Sequence, residues 1–338
     1  MTKSKPYIVA EMSGNHNGSL DRALQLVDAA ADAGADAIKI QTYTADTMTV
    51  DVKHPRFQIS KGHDLWGGDY LYQLFERAHT PWDWHEPIFE RARERGITPF
   101  SSPFDRTAVE LLEKLDAPMY KIASSEITDL PLIRLCASTG KPIIISTGMA
   151  TLKEISAAVE AAKGAGATDI TVLSCTASYP APPEETNLRR IPVLADALGL
   201  PIGLSDHTLG IGVPIAAVAF GAVLIEKHVT LDRADGGVDS AFSLEPAELA
   251  ALVVESERAW QALGTTRIGP TEAERESLRF RRSLYVVTDV VAGEPVTAEN
   301  VRSIRPTGGL DPDQIGTVMG RVFRTDAAKG TPLTWDLI

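Results

Sequence analysis

Eight short runs of β-branched and other apolar residues recur along the first two-thirds of the chain, and helical segments separate most of them. The segments LDRALQLVDAAADAG and LKEISAAVEAAKGAG place apolar residues at i, i+3 and i+4 and end in a glycine that suits a helix C-cap. Alternating strand and helix units are typical of an α/β fold, and eight such units close a (β/α)8 TIM barrel. The runs span residues 7–12, 37–42, 98–103, 119–124, 142–147, 170–175, 202–207 and 224–229.

The 338-residue chain is long enough for a second, smaller domain after the barrel. We expect a barrel domain at 1–263, a charged linker at 264–282 and a β-rich domain at 283–338, where short β runs alternate with Gly, Pro and Asp turns. A domain of roughly 55 residues buries little surface, so it should lean on the barrel or on a partner subunit.

The segment from Tyr43 to Thr80 is too long for an ordinary loop between a strand and the next unit. It carries His54, His63, Trp66 and Tyr70 together with several glycines. We therefore predict an excursion that lies over the mouth of the barrel and acts as a lid.

Composition excludes several classes of function. The formal net charge of −12 argues against a nucleic-acid or anionic-membrane partner. The first residues do not form a signal peptide, and no apolar run is long enough to span a membrane, so we expect a cytoplasmic protein. Cys136 and Cys175 are the only cysteines, and we expect both to be reduced thiols.

Polar residues stand at the carboxyl end of every predicted strand, which is the end that carries the active site in barrels of this kind. Strands that only pack would show Val, Ile and Leu through their length. Polar residues at all eight ends indicate a functional site. They are Glu11; Lys39 and Gln41; Ser101 and Ser102; Lys121, Ser124, Ser125 and Glu126; Ser146 and Thr147; Cys175 and Thr176; Ser205, Asp206 and His207; and Glu226, Lys227 and His228.

Two lysines and four serines of this set combine cations with hydroxyl donors. A small molecule that bears both a phosphate and a carboxylate needs such donors, and phosphoenolpyruvate is such a molecule. Two other interpretations stay open: each Lys neutralises a carboxylate while each Ser satisfies a backbone group, or a desolvated Lys is the nucleophile of a Schiff-base aldolase. The set is Lys39, Lys121, Ser102, Ser124, Ser146 and Ser205.

His207 and His228 close the last two strands of the predicted barrel. Each follows a polar residue by two positions, so strand alternation places His207 on the side of Ser205 and His228 on the side of Glu226. Two neutral imidazoles there predict a site for one divalent ion, for which Mn, Fe, Co or Zn is better suited than Mg. The alternative is a pair of hydrogen-bonding core histidines.

From about Pro6 to the C-terminus the sequence resembles the sialic acid synthase family, and its TYTADTMT, SSEITDLPLI and LDRADGGVDSAFSLEP segments look like the branch that makes pseudaminic acid. The residues after the barrel are similar to that family's antifreeze-like domain, also called a SAF or β-clip domain. The motifs that carry the resemblance are AEMSGNHNG, KIQTYT, FSSPFD, YKIASSEI, ISTGMA, CTASYPAPPE, GLSDHT, EKHVTLDR and NVRSIRPTGG.

The resemblance implies an enzyme that condenses phosphoenolpyruvate with an amino-sugar aldehyde. By this resemblance, Lys39 and Ser102 hold the carboxylate of phosphoenolpyruvate, and Lys121 holds its phosphate with Ser124, Ser146 and Ser205. His207 and His228 bind Mn2+, with Mg2+ or Co2+ as alternatives. Glu126 lies near the reacting carbons, and the sugar site is lined by Glu11, Gln41, Tyr179 and Asp239.

The resemblance also implies a domain-swapped homodimer, in which Arg305 reaches the sugar site of a second subunit. One position departs from the family pattern: an Asn that helps to bind the phosphate is replaced by Ala177, and Ser178 is the possible substitute donor. A neuraminate or legionaminate synthase is the near alternative. More remote are the aldolase and a carbohydrate- or ice-binding protein.

Overall fold

The computed structural model describes residues 4–60, 62 and 65–338, so His63 of the predicted lid lies outside the described residues. The chain divides into two compact units, Met1–Gly264 and Thr265–Ile338. Of the residues expected to form a linker, Gly264 ends the first unit and 265–282 belong to the second, where they carry two short 3-10 helices, Glu272–Glu274 and Glu276–Phe280.

Eight parallel strands of the first unit pair in sequence order, and β8 pairs with β1 to close the barrel. Each strand lies within one of the eight predicted runs, so the predicted barrel is confirmed. Its register places Glu11 beside both Lys39 and His228. The strands are β1 Tyr7–Glu11, β2 Ala37–Thr42, β3 Thr98–Pro103, β4 Tyr120–Ile122, β5 Ile143–Ser146, β6 Ile170–Cys175, β7 Ile202–Asp206 and β8 Leu224–His228.

Helices follow most of the strands, and local sequence explains where several of them begin. Thr151 and Glu154 form a reciprocal capping box at the start of one helix, and Asp105 accepts backbone hydrogen bonds at the start of another. The helices of the first unit are α1 Leu20–Asp32, α2 Ala45–Met48, α3 Leu71–Ala78, α4 His85–Glu94, α5 Arg106–Lys114, α6 Leu130–Ala137, α7 Leu152–Gly164, α8 Arg190–Leu198, α9 Gly212–Ala219 and α10 Pro246–Leu263.

The barrel has an apolar core outside its strands and an apolar layer inside them. The outer core packs isoleucine, leucine, valine and alanine side chains of the helices against the strands. The inner layer fills the barrel below the strand ends. Its buried members are Val9, Ala37, Phe100, Ile144, Leu173 and Leu224.

The second unit contains the antiparallel pair β9 Ser283–Val286 and β10 Val301–Ile304, and the short helix α11 Ile315–Val318. Its own apolar core includes Leu284 and Phe323. A small antiparallel sheet agrees with the β-rich domain predicted from the turn pattern. Among the described residues of the whole chain, no helix has the length and apolar character needed to cross a membrane.

Candidate active site

The inner apolar layer explains why the polar strand ends converge. Side chains two residues apart on a strand share a face, so Glu11 lies on the inner face with Val9, and Ser102 lies there with Phe100. Leu173 and Cys175 on β6 are also two residues apart, so Cys175 lies on the inner face with Leu173. The remaining inner positions follow in the same way: Lys39 and Gln41, Ser146, Ser205, and Glu226 with His228.

A small pocket of about 60 Å3 lies at these strand ends. All six residues of the predicted anion site line it: Lys39, Ser102, Lys121, Ser124, Ser146 and Ser205. Glu11, Gln41, Tyr179, His207 and His228 line it as well, together with Cys175 and Glu226. The structure thus brings the predicted residues together, and their binding roles stay predictions.

Three buried ion pairs, formed by two lysines and two glutamates, cross this pocket. Lys121 Nζ lies 2.8 Å from both carboxylate oxygens of Glu226. Lys39 Nζ lies 2.5 Å from Glu11 Oε2 and 3.8 Å from Glu226 Oε1. None of the four side chains is more than 5% exposed. The carboxylates required by the neutralisation alternative are therefore present, and they are Glu11 and Glu226.

Burial and the neighbouring charges oppose each other in this network. Burial raises the pKa of Glu226, but the ammonium groups of Lys121 and Lys39 outweigh it and hold that pKa well below its ordinary value. Burial lowers the pKa of Lys39, and the carboxylates of Glu11 and Glu226 outweigh it, so the net shift is upward. Glu226 is consequently a fixed anion around which both ammonium groups are arranged.

Hydroxyl groups complete the donor set. Ser205 donates to Glu226 Oε1 at 3.1 Å, and Lys39 donates to Ser102 at 3.4 Å. Ser146 is 2% exposed, and its Oγ is buried without a hydrogen-bond partner among the described residues. Buried hydroxyl groups normally have a hydrogen-bond partner, so we expect a ligand atom to be the partner of Ser146 Oγ.

The loop after β5 approaches Ser124 closely. The Gly148 amide donates to Ser124 Oγ at 3.0 Å, and a Cβ at Gly148 would lie 2.8 Å from that oxygen and 2.9 Å from the Ala177 Cβ. Glycine is therefore required for this approach. The Ser178 hydroxyl donates to Pro180 O at 3.0 Å, so it is already engaged and does not line the pocket.

The two histidines lie next to each other at the ends of β7 and β8, with ring centroids 5.3 Å apart. His207 Nδ1 donates to Thr176 O at 2.9 Å, which leaves Nε2 as the available ligand atom. His228 Nδ1 is buried without a hydrogen-bond partner among the residues described, and it lies 3.5 Å from Asp239 Oδ2. Burial, followed by the neighbouring His207, lowers the pKa of His228 well below its ordinary value, so this imidazole is neutral.

These two imidazoles suit one divalent ion, because both are buried and one has an unpaired nitrogen. Within residues 4–60, 62 and 65–338, no group of three or more His, Cys, Asp or Glu side chains is arranged to hold a metal. An ion bound there would take its remaining ligands from water or substrate, which is the open coordination of a catalytic site.

A larger cavity of about 570 Å3 opens beside the pocket and shares Gln41, Ser124, Tyr179 and His228 with it. On its strand side, Gln41 donates to Glu11 Oε1 at 2.9 Å, and Ser13 donates to Asp239. The ring of Tyr179 packs against His207 at 4.4 Å between centroids. Of the predicted sugar-site residues, Gln41, Tyr179 and Asp239 line this cavity, whereas Glu11 lies in the small pocket.

Glu126 follows β4 in a 3-10 turn, Ser124–Glu126, and also lines the larger cavity. Burial, with a smaller contribution from Asp129, raises the pKa of Glu126 to about 7. Burial likewise raises the pKa of Asp239 to about 6. Such values place both carboxyl groups in the range in which a side chain exchanges protons near neutral pH.

The segment predicted to cover the mouth forms one wall of this cavity through Ile59, Trp66, Leu71 and Phe75. The Trp66 indole donates to Val238 O at 2.9 Å and so connects this segment to the loop after β8. Arg305 belongs to the second unit and follows β10. Its predicted role in a partner's sugar site stays a prediction.

Sequence reasoning did not single out two contributors to the site. Ser13 lies two residues beyond Glu11, so extending the β1 alternation by one step would have found it. Glu226 was counted among the polar strand ends without a role, because the sequence does not tell which carboxylate pairs with which lysine. Cys175 lines the pocket as a buried free thiol, and Cys136 is also free and buried.

Comparisons with known proteins find sequence relatives over nearly the whole chain and a solved structure with the same fold over most of it. The chain is 43% identical to the pseudaminic acid synthase of Campylobacter jejuni over 98% of its own length and 96% of that protein. It is 36% identical to the N,N'-diacetyllegionaminic acid synthase of Legionella pneumophila, over 98% of this chain and 94% of the relative. The crystal structure of an N-acetylneuraminic acid synthetase from Leptospira borgpetersenii in complex with citrate superposes with a TM-score of 0.73 at 35% identity, covering 82% of this chain and 92% of the other.

Family models cover both units. The SAF domain model matches residues 281–338, and the NeuB family model matches residues 26–267. The resemblance inferred from the barrel motifs is thereby confirmed. With matches over most of its length and polar residues at all eight strand ends, the chain belongs to the NeuB family.

Proposed function

We propose that the protein is a transferase that condenses phosphoenolpyruvate with 2,4-diacetamido-2,4,6-trideoxy-L-altrose to give pseudaminic acid and phosphate. The observation that carries the proposal is the buried pocket with Lys39, Lys121 and the unpaired Ser146 hydroxyl, which opens directly into a sugar-sized cavity. The choice of sugar is supported by the higher identity to the pseudaminic acid synthase than to the legionaminic acid synthase.

In this proposal the anion site orients phosphoenolpyruvate. Lys121, Ser124, Ser146 and Ser205 hold the phosphate, and Lys39 with Ser102 holds the carboxylate. Charge-assisted hydrogen bonds from buried donors are strong, because little water competes for the ligand oxygens. To bind, the phosphate must share or replace the contacts that Lys121 makes with Glu226.

The reaction needs no covalent enzyme intermediate. The enol carbon of phosphoenolpyruvate forms a bond to the aldehyde carbon of the open-chain sugar, and the aldehyde oxygen takes up a proton. Water adds to the former enol C2, and cleavage of the C2–O bond releases phosphate and leaves the 2-keto acid. The protein contributes the orientation of both substrates and donors for the developing charge.

Glu11 and Glu126 are the proposed proton-handling groups. Burial raises the pKa of both carboxyl groups, and they lie on different sides of the junction between pocket and cavity. Gln41, Tyr179 and Asp239 line the cavity, and in this proposal they orient the sugar by accepting hydrogen bonds from the hydroxyl and amide groups of the sugar.

We further propose that His207 and His228 hold one divalent ion, Mn2+ in the first instance and Mg2+ or Co2+ as alternatives. The neutral imidazole of His228 and the Nδ1 hydrogen bond of His207 support this assignment. When bound, the ion would supply Lewis-acid activation of the aldehyde oxygen. The protein residues fix its position and leave coordination sites open.

A domain-exchanged homodimer with Arg305 in the partner's sugar site is part of the same proposal, as is a cytoplasmic location. The second unit has only a small apolar core, so we expect it to gain stability by packing against another surface. Citrate in the Leptospira structure belongs to that protein, and its tricarboxylate chemistry is compatible with an anion-binding family.

The test of the proposed function is phosphate release with phosphoenolpyruvate and a panel of amino sugars. We expect turnover with the diacetamido trideoxy altrose and much slower turnover with N-acetylmannosamine or the legionaminate precursor. Preferred use of either of those sugars would reassign the substrate within the family. No phosphate release from phosphoenolpyruvate, together with condensation of added pyruvate with the sugar and a borohydride-trapped lysine–pyruvate adduct, would indicate the Schiff-base aldolase.

A further inference from the structure

The larger cavity lies beside the small pocket that contains the proposed anion site, called the anion pocket below, and it has two chemically different walls. The strand side presents Ser13, Gln41, Glu126, Asp239 and His228. The excursion after β2 and the loop after β3 supply a second, mainly apolar wall, in which Tyr43 and Trp66 carry polar groups and the Trp66 indole donates to Val238 O. Its apolar side chains are Met48, Ile59, Leu71, Leu74, Phe75 and Phe104.

The apolar wall, defined by those six side chains, is packed against neighbouring parts of the fold. The Tyr43 ring lies edge-on to Phe75 at 5.8 Å and to Phe104 at 5.3 Å between centroids. Leu74 is 8% exposed and is therefore packed into the protein. Leu71 and Phe75, on the same helix α3, line the cavity beside it. The Met48 thioether, a weak acceptor, is the only polar group among the six side chains.

The direction of the sugar in this cavity follows from the proposed reaction. The aldehyde carbon must meet phosphoenolpyruvate at the junction, where Gln41, Ser124 and His228 line both spaces. The far end of the open-chain sugar, which carries C6, then extends away from the anion pocket and along the apolar wall. A 6-deoxy sugar presents a methyl group there, whereas a 6-hydroxy sugar presents a hydroxyl.

We propose that the apolar wall selects 6-deoxy amino sugars by receiving the C6 methyl group, with Met48, Leu71 and Phe75 as specificity-determining residues. This inference rests on the proposed function. A hydroxyl that enters an apolar surface loses its water without gaining a good partner, and this discrimination in kcat/KM is about 10- to 100-fold.

The experiment compares two sugars that differ only at C6: 2,4-diacetamido-2,4,6-trideoxy-L-altrose and its 6-hydroxy counterpart. The variants are Met48→Gln and Leu71→Asn, which keep roughly the size of each side chain and add polar groups. The control is Leu152→Asn, at a half-exposed position on α7 that does not line the cavity. Phosphate release at saturating phosphoenolpyruvate gives kcat/KM for each sugar, and thermal unfolding verifies folding.

We expect the unmodified protein to prefer the 6-deoxy sugar by about 10- to 100-fold. Met48→Gln and Leu71→Asn should each reduce this preference at least about fivefold, a partial loss of that discrimination, with the KM for phosphoenolpyruvate unchanged. Leu152→Asn should keep the full preference.

Each contrary result has its own meaning. Equal kcat/KM for the two sugars in an active unmodified enzyme overturns the selection at C6 and leaves the proposed function intact. A strong preference that neither cavity variant reduces overturns its assignment to the apolar wall. Absence of phosphate release with both sugars overturns the proposed function itself, and with it this inference.

Discussion

Replacement of Lys121 distinguishes charge neutralisation from phosphate binding as the role of this buried lysine. It neutralises Glu226 in the free protein, and it is proposed to bind the phosphate of phosphoenolpyruvate. The informative set is Lys121→Met, Glu226→Gln and the double variant. Methionine and glutamine roughly preserve the shapes of the side chains while removing both charges.

The magnitudes follow from burial. The side chains of Lys121 and Glu226 are 3% and 4% exposed, so Lys121→Met leaves a buried carboxylate whose nearest remaining ammonium, Lys39 Nζ, is 3.8 Å away. Loss of one partner from a buried pair lowers the free energy of unfolding by about 3–5 kcal/mol, whereas replacement of both partners by neutral groups is often close to neutral. Loss of a charge-assisted hydrogen bond to phosphate is worth about 1.5–3 kcal/mol, or roughly 10- to 100-fold in KM.

We therefore expect denaturant unfolding to show a destabilised Lys121→Met protein and a double variant with nearly restored stability. Steady-state kinetics should show the KM for phosphoenolpyruvate raised at least about tenfold in both, with the KM for the sugar little changed. If the double variant regains the original KM for phosphoenolpyruvate along with its stability, Lys121 only neutralises Glu226, and the anion-site reasoning is refuted.

Three further predictions concern the metal, the assembly and a titrating carboxyl group. Chelation should abolish turnover and Mn2+ should restore it, and full activity of metal-stripped His207→Ala or His228→Ala protein would contradict the metal assignment. Arg305→Ala and His228→Ala proteins, each inactive alone, should regain activity when refolded together, whereas a fully active Arg305→Ala enzyme or an active monomer in sedimentation would refute shared sites. The pKa of Glu126 is raised to about 7, so its contribution to stability should be lost as pH rises from about 4.5 to about 7. Thermal unfolding of Glu126→Gln should lack this part of the pH dependence, and an identical pH profile would contradict it.

The barrel was predictable because its strands are buried on both faces and therefore appear as short continuous apolar runs. The run at 119–124 was predicted too long, since the strand ends at Ile122 and Ser124 begins a 3-10 turn. That turn moves Ser124 and Glu126 out of strand alternation. Their positions in the site could not be deduced from periodicity.

The meeting of the polar strand ends in one site was also predictable, because residues two apart on a strand share a face and the polar residue at each strand end therefore points to the same side as the inner apolar residue before it. The identity of the ion pairs was not, since Glu11 and Glu226 lie on that same face and either could approach Lys39. The apolar wall was missed for another reason. Leu71 and Phe75 are four residues apart on a short helix, a spacing that indicates core packing equally well.

The charge balance of the buried network gives a physical reason for an ion beside it. At full ionisation, Lys39 and Lys121 contribute two positive charges and Glu11 and Glu226 two negative ones, so the four sum to zero. The neutral His228 adds nothing. Phosphoenolpyruvate carries a carboxylate and a phosphate with about 1.5 to 2 negative charges near neutral pH, and these four side chains, when all are ionised, supply no surplus positive charge for such an anion. A divalent ion on His207 and His228 would supply that surplus. Metal removal should consequently weaken phosphoenolpyruvate binding measured by calorimetry, in addition to slowing the reaction, and unchanged binding after metal removal would place the compensating charge elsewhere.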